Sequence, residues 1–307
     1  MKKIISLVAG SFIGITVVVV VVSQGYPLKY IQTADPLHLA VAVCAGFILA
    51  CFLLAWITGD YSQTDRLWSI APAIYAWIFA ASAWPDVRVI LMASLVTIWG
   101  ARLSFNFARK GGYTSEEDYR WPILRDKITN PILWQLFNLF FIAGYQHVQV
   151  LLISIPAYIV CREGYRPINP IDVVAAGLLI GLLVIETIAD EQMWHFQQKK
   201  KNLIASGEAL TGEFKRGFIS SGLYRYSRHP NYFAEISIWW AFYLFVPAAT
   251  GQWIHWSIIG AVSLTILFQG SVWFVERISS GKYPAYVEYQ RKVSRLLPWF
   301  SKPLDRE

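Results

Sequence analysis

The chain is poor in charge. Asp, Glu, Lys and Arg make up 15% of its 307 residues, where a soluble domain carries about 25%. Cysteine is scarce as well: Cys44, Cys51 and Cys161 are odd in number and lack C-x-x-C spacing, which argues against a disulfide framework and against a zinc ribbon. The signatures of soluble nucleotide enzymes are missing. No G-x-G-x-x-G follows a strand and no G-x-x-x-x-G-K-[ST] occurs. The five histidines, at 38, 147, 195, 229 and 255, never form H-E-x-x-H, and there is no G-x-S-x-G elbow. Neither a catalytic metal nor a serine hydrolase is expected. The chain also shows no internal repeat, low-complexity linker or second soluble domain, and the lack of repeats speaks against a transporter.

Apolar residues fill the gap. They make up 55% of the chain, in runs near the 20 or so residues needed to cross a bilayer. Eight spans are read, at 4–22, 37–57, 67–83, 89–107, 132–160, 171–190, 232–249 and 254–274, with a count between seven and nine. The fifth is long and has a possible break near Gly144. The first is longer than a signal-peptide core and no A-x-A site follows it, so it is read as a retained helix. The expected fold is all-α: a polytopic membrane helix bundle forming one domain, 1–307, whose part 190–307 binds a cofactor.

The sign of the charges orients the bundle. With the N-terminus inside and eight spans threaded, 22 of the 27 lysines and arginines fall on the inner side and four on the outer, the bias of cytoplasmic loops. Both termini are therefore expected in the cytoplasm. The net charge of +7 reads as topology and contact with lipid headgroups, with the bilayer as partner and no nucleic acid. The setting would be a bacterial inner membrane, or the endoplasmic reticulum in a eukaryote.

The long inner segments are 108–131, 190–231 and 275–307. In the first, Thr114 or Ser115 ahead of Glu117 and Asp118 resembles a helix cap followed by first-turn acids. In the second, Lys199, Lys200 and Lys201 suit the end of a helix. The tail YPAYVEYQRKVSRLLPWF reads as a short amphipathic interfacial helix ended by Pro298.

One stretch carries the densest chemistry, 222-GLYRYSRHPNYFAE-235. Pro230 is suited to the first position of a helix, whose N-terminus attracts anions. Arg225, Arg228 and His229 stand beside it, and arginine grips phosphate with a fork. Asn231 and Glu235 are four apart and share a helix face. A carboxylate such as Glu235 inside a span is costly and usually functional. Phosphate recognition above and amide–carboxylate recognition below suit a long anionic cofactor. Asp190 and Glu186 form a second pair of acids on one face. Arg102, within a span, needs a partner, for which Asp60 and Asp65 are candidates.

The segments GLYRYSRHPNYFAE, ADEQMWHFQQKK and KYPAYVEYQRKVSRLLPWF together resemble the steroid 5α-reductase superfamily. WGARLSFNFARKGGYTSEEDYRW fits its bacterial and fungal branch, known as a domain of unknown function (DUF1295). A more distant resemblance, through the R-H-P-x-Y element, is to isoprenylcysteine carboxyl methyltransferases. The resemblance implies a membrane reductase that takes NADPH from the cytoplasm and reduces an activated C=C bond in a lipid-like small molecule. It implies Asp190, Asn231 and Glu235 as cofactor contacts, with Arg225, Tyr226, Arg228, His229 and Tyr232 in the same motif and Glu276, Tyr289 and Arg291 in its C-terminal part. The chain departs from steroid-reducing members at Glu186, Gln197 and Trp99, where they carry Asn, Arg and the catalytic Tyr. Candidates for the proton donor are Tyr61, Tyr113, Tyr145 and a protonated Asp65. The other readings are an S-adenosylmethionine-dependent methyltransferase and a membrane protein without enzymatic activity.

Overall fold

The structure is a computed structural model describing residues 35–114 and 117–300; all regular structure within them is helical. The expected span 4–22 and the candidate cap Ser115 lie outside the described residues. Among these, six helices are long and apolar enough to cross a membrane: α1 Pro36–Thr58, α2 Val87–Arg109, α3 Pro131–Glu163, α4 Pro170–Ser206, α5 Pro230–Thr250 and α6 Trp256–Lys282. The chain thus reads as an integral membrane protein. The span expected at 67–83 is instead a 12-residue helix, Ala71–Ser82. At about 1.5 Å per residue it falls well short of a bilayer core.

Local chemistry explains where the spans begin. Three of them open on an Asx-Pro pair, in which the Asx side chain takes up an orphan N–H and the proline suits the first turn. Asp35 accepts from Leu37 N (3.0 Å), Asn130 from Ile132 N (2.9 Å) and Asn169 from Ile171 N (2.9 Å). α1 ends at Gly59, whose φ of 71° is a left-handed cap.

The chain forms two compact units. One comprises the described residues up to Val173 together with Tyr243–Gly260; the other comprises Val174–Phe242 together with the described residues from Ala261 onward.

In the first unit, Arg88 at the head of α2 forks onto Asp172 at the head of α4, at 2.7 and 2.8 Å. Both side chains are fully buried. The topology count treats Arg88 as an outer-loop charge, but here it is a strut. α3 runs without a break, yet at Asn138–Tyr145 it widens into a π-turn, a distortion frequent at functional sites. Gly144 belongs there, since a Cβ at that position would overlap the Leu139 carbonyl.

Three local expectations are corrected. Glu117 and Asp118 do not open a helix, which starts instead at Arg120. Glu117 accepts the Tyr61 N–H (3.0 Å), while the Asp118 N–H donates to the Ser62 hydroxyl (2.8 Å). Lys199–Lys201 do not end α4, which continues to Ser206. The tail helix covers only Tyr286–Lys292, ending well before Pro298.

Candidate functional site

In the second unit, the motif that follows the Gly222–Arg225 turn leads into the first turn of α5. The turn is anchored by Gln192 of α4, whose side-chain oxygen accepts the Leu223 N–H at 2.9 Å. Ser227, fully buried, donates its hydroxyl to the Leu296 carbonyl at 2.7 Å and accepts the His229 N–H at 3.2 Å.

Arg228 is the hub of this region. It forks onto Glu276 of α6, with Nε to Oε1 at 2.6 Å and Nη2 to Oε2 at 3.2 Å. Its Nη1 donates to the carbonyls of Gln290 and Val293, and its backbone N–H to Ser294 O at 2.8 Å. Four of the five guanidinium N–H groups are therefore taken up inside the fold. His229 Nε2 lies 3.0 Å from Glu276 Oε1, and the His229 ring stacks on Tyr232 at 5.4 Å. Gln290 Nε2 donates to Glu276 Oε2 at 3.1 Å.

These bonds explain why the tail helix stops. The carbonyls after Tyr289 serve Arg228, and Val293 is already extended. Tyr289 is buried and donates its hydroxyl to the Tyr224 carbonyl. Burial pushes the phenol upward, so it stays protonated as a donor. Arg228, Glu276 and Tyr289, expected among the cofactor contacts, thus have architectural partners here: they clamp the tail to the motif.

The remaining motif residues are placed differently. Asn231 Nδ2 donates to the buried Asp190 carboxylate of α4 at 3.4 Å. Glu235, one turn further along α5, is also buried and accepts the Trp239 indole N–H at 3.2 Å. Arg225, Tyr226 and Arg291 are exposed. The motif therefore divides into an inner clamp, a buried pair of acids with an amide, and an exposed cationic rim. Asp190 and Asn231, 41 residues apart in sequence, are brought together.

The candidate proton donors lie in the first unit, where Tyr61 belongs to an apolar cluster with Trp121, Trp134 and Ile142. Tyr61 is buried, and its hydroxyl oxygen accepts the Gln135 amide at 2.9 Å. Its ring meets Trp134 edge-on at 4.9 Å. Asp65 accepts the Trp121 indole N–H at 2.8 Å and has Arg120 at 3.7 Å. Burial raises the Asp65 carboxyl above its ordinary value, against the pull of Arg120. Asp60 pairs with Arg66 at 2.6 Å. Tyr113 lies 3.3 Å from the Arg66 carbonyl. Tyr145 stacks on Phe141 at 5.6 Å, the last ring of a ladder that runs Trp134, Phe137, Phe141, Tyr145 along α3. No group of three or more His, Cys, Asp or Glu residues that could hold a metal occurs among the described residues.

Residues 51–293 match the family described as Protein of unknown function (DUF1295). The chain belongs to the DUF1295 family. A relative is the uncharacterized protein C594.04c of Schizosaccharomyces pombe, 37% identical over 274 residues that cover 84% of this chain and 79% of that one. No solved structure matches the chain. The family match spans both units of this DUF1295 chain and every candidate site residue. Sequence reasoning passed over several residues that the structure makes prominent: Gln192, Ser227 and Gln290 in the second unit, and Trp134, Gln135 and Asn138 in the first. The last three read as part of one apolar run, and only the spacing of polar side chains along α3 hinted at them.

Proposed function

We propose that this protein is a membrane-embedded, NADPH-dependent reductase of an activated C=C bond in a lipid-like substrate, with its cofactor site on the cytoplasmic side. The observation that carries the reading is the contact of the half-buried Asn231, at the head of α5, with the buried Asp190 carboxylate, and the buried carboxylate of Glu235 one turn on. Buried carboxylates at membrane depth are expensive and are kept for function. The donor set fits a phosphate-bearing dinucleotide. Exposed Arg225 and Arg291 supply cations for phosphate, the first turn of α5 adds N–H groups and a partial positive charge, and Asp190, Asn231 and Glu235 can read amide and hydroxyl groups. Tyr226, His229 and Tyr232 add aromatic surface. The superfamily resemblance supports the same assignment.

NADPH, when bound, supplies a hydride for the β-carbon of an enone or enoyl group. The protein must then meet the negative charge that grows on the carbonyl oxygen and deliver a proton to the α-carbon. Aimed donors in a water-poor site contribute about 3–4 kcal/mol each. Tyr61 keeps its own O–H available, because its oxygen accepts from Gln135. Burial favours the protonated form of Asp65, which makes it a second proton source. Tyr145, the last ring of the aromatic ladder along α3, is the third candidate donor.

The test is isotopic. Purified protein given deuterated NADPH and a panel of lipophilic enones should form a saturated product carrying one deuterium, with its other new hydrogen drawn from water. A product without deuterium, or none from any enone, would remove the hydride step.

A further inference from the structure

The polar residues of α3 do more than support Tyr61. Trp134 and Asn138 are 3% and 1% exposed, yet the Trp134 Nε1 donor and the Asn138 Oδ1 acceptor have no hydrogen-bond partner. Such atoms are rare in folded proteins and call for an explanation. Their neighbours form a one-way relay. Asn138 Nδ2 donates to Gln135 Oε1 at 3.3 Å, and Gln135 Nε2 donates to the Tyr61 oxygen at 2.9 Å. A hydroxyl whose oxygen accepts still has its own proton to give. An indole N–H can only donate. The relay ends on the Tyr61 O–H; the Trp134 N–H, outside the relay, is a second donor, on a ring whose centroid is 4.9 Å from that of Tyr61. Around them the cluster is apolar, with Ala55, Ile142, Leu124 and Phe137 among its members.

We infer that Tyr61 and Trp134 form a twin-donor subsite for the carbonyl oxygen of an apolar ligand, with Gln135 and Asn138 setting the polarity of the Tyr61 hydroxyl. An apolar pocket fixes a ligand's orientation through a few placed polar groups, and two donors beside one unused acceptor match a ligand with a single carbonyl and a nearby hydroxyl or N–H. The π-turn starts at Asn138 and so lies where the relay begins. The inference rests on the reductase reading only in calling this ligand the substrate; binding itself requires no cofactor.

The experiment uses the full chain in lipid nanodiscs, without NADPH. The probes are a rigid polycyclic ketone with a ¹³C-labelled carbonyl and the matching hydrocarbon without the oxygen. Binding is followed by tryptophan fluorescence and the carbonyl stretch by infrared difference spectroscopy. The ketone should bind at least about tenfold more tightly than the hydrocarbon, the equivalent of one good hydrogen bond. Its stretch should move to lower wavenumber. Tyr61→Phe and Trp134→Phe should each weaken the ketone by about tenfold and leave the hydrocarbon unchanged. Gln135→Leu should broaden the bound carbonyl band. Equal affinity of the parent for the two probes, or an unshifted stretch, would overturn the inference, as would variants that lose both probes alike. Ketone binding without NADPH binding would sink the reductase reading and leave the subsite standing; NADPH binding without ketone preference would do the reverse.

Discussion

Arg228 has partners that its residue type does not announce. An arginine at a helix head suggests an anion hook, but here the guanidinium is buried against Glu276 and two carbonyls. Removing one partner of a buried ion pair leaves the other uncompensated and costs about 3–5 kcal/mol. Arg228→Ala should therefore lower thermal stability sharply and free the tail from residue 286 onward to limited proteolysis. Arg228→Lys should recover little, because an ammonium cannot reproduce the fork. An Arg228→Ala protein with parental stability and an intact tail would contradict the clamp. Asp65 gives a pH prediction. Its carboxyl is raised in the fold above 3.8, chiefly by burial. The folded state then holds a proton that the unfolded state has released, so its contribution is full below that value and is lost as pH rises through the folded pKa. Asp65→Asn should flatten this part of the stability–pH curve, read by thermal denaturation across an acid-to-neutral series.

At the scale of elements, α3 is the unusual helix. Its π-turn sets the spacing of Asn138 and Tyr145, and Gly144 makes room for it. Gly144→Ala should cost about 1–3 kcal/mol through overpacking against the Leu139 carbonyl, where helix propensity alone would favour alanine. A stabilised variant would show that the turn tolerates a side chain. The helices were legible where their signals are local. Pro230 opening α5 and the long apolar runs act within a few residues. What was not legible depends on distant partners. Arg228 meets residues 48, 62 and 65 positions away, and Glu117 reaches back 56 positions to the Tyr61 N–H, so neither role could be read from its own segment. Asp190 and Asn231 were each legible in their own segments and through the motif resemblance, but their contact, 41 positions apart, was not. Trp134, Gln135 and Asn138 were hidden by the apolar run that contains them.

For the whole molecule, the charge bias makes a topological prediction. Single cysteines introduced at Glu208 and at Tyr165, both exposed loop positions, in a background with Cys44, Cys51 and Cys161 replaced by alanine, should be labelled from opposite sides of the membrane. Position 208 should react from the cytoplasm. Labelling of both from one side would contradict a membrane-crossing α4, and labelling of position 208 from outside would contradict the cytoplasmic cofactor site. The most direct measurement of the central claim is a titration of the detergent-purified protein with NADPH and, separately, S-adenosylmethionine, following thermal stability, since a ligand of the native state raises the midpoint by mass action. NADPH should stabilise the parent, and Asn231→Ala should weaken that binding by about 10- to 100-fold, the loss expected for a charge-assisted hydrogen bond. Stabilisation by S-adenosylmethionine in place of NADPH, or by NADPH equally in parent and Asn231→Ala, would contradict the dinucleotide site at the head of α5.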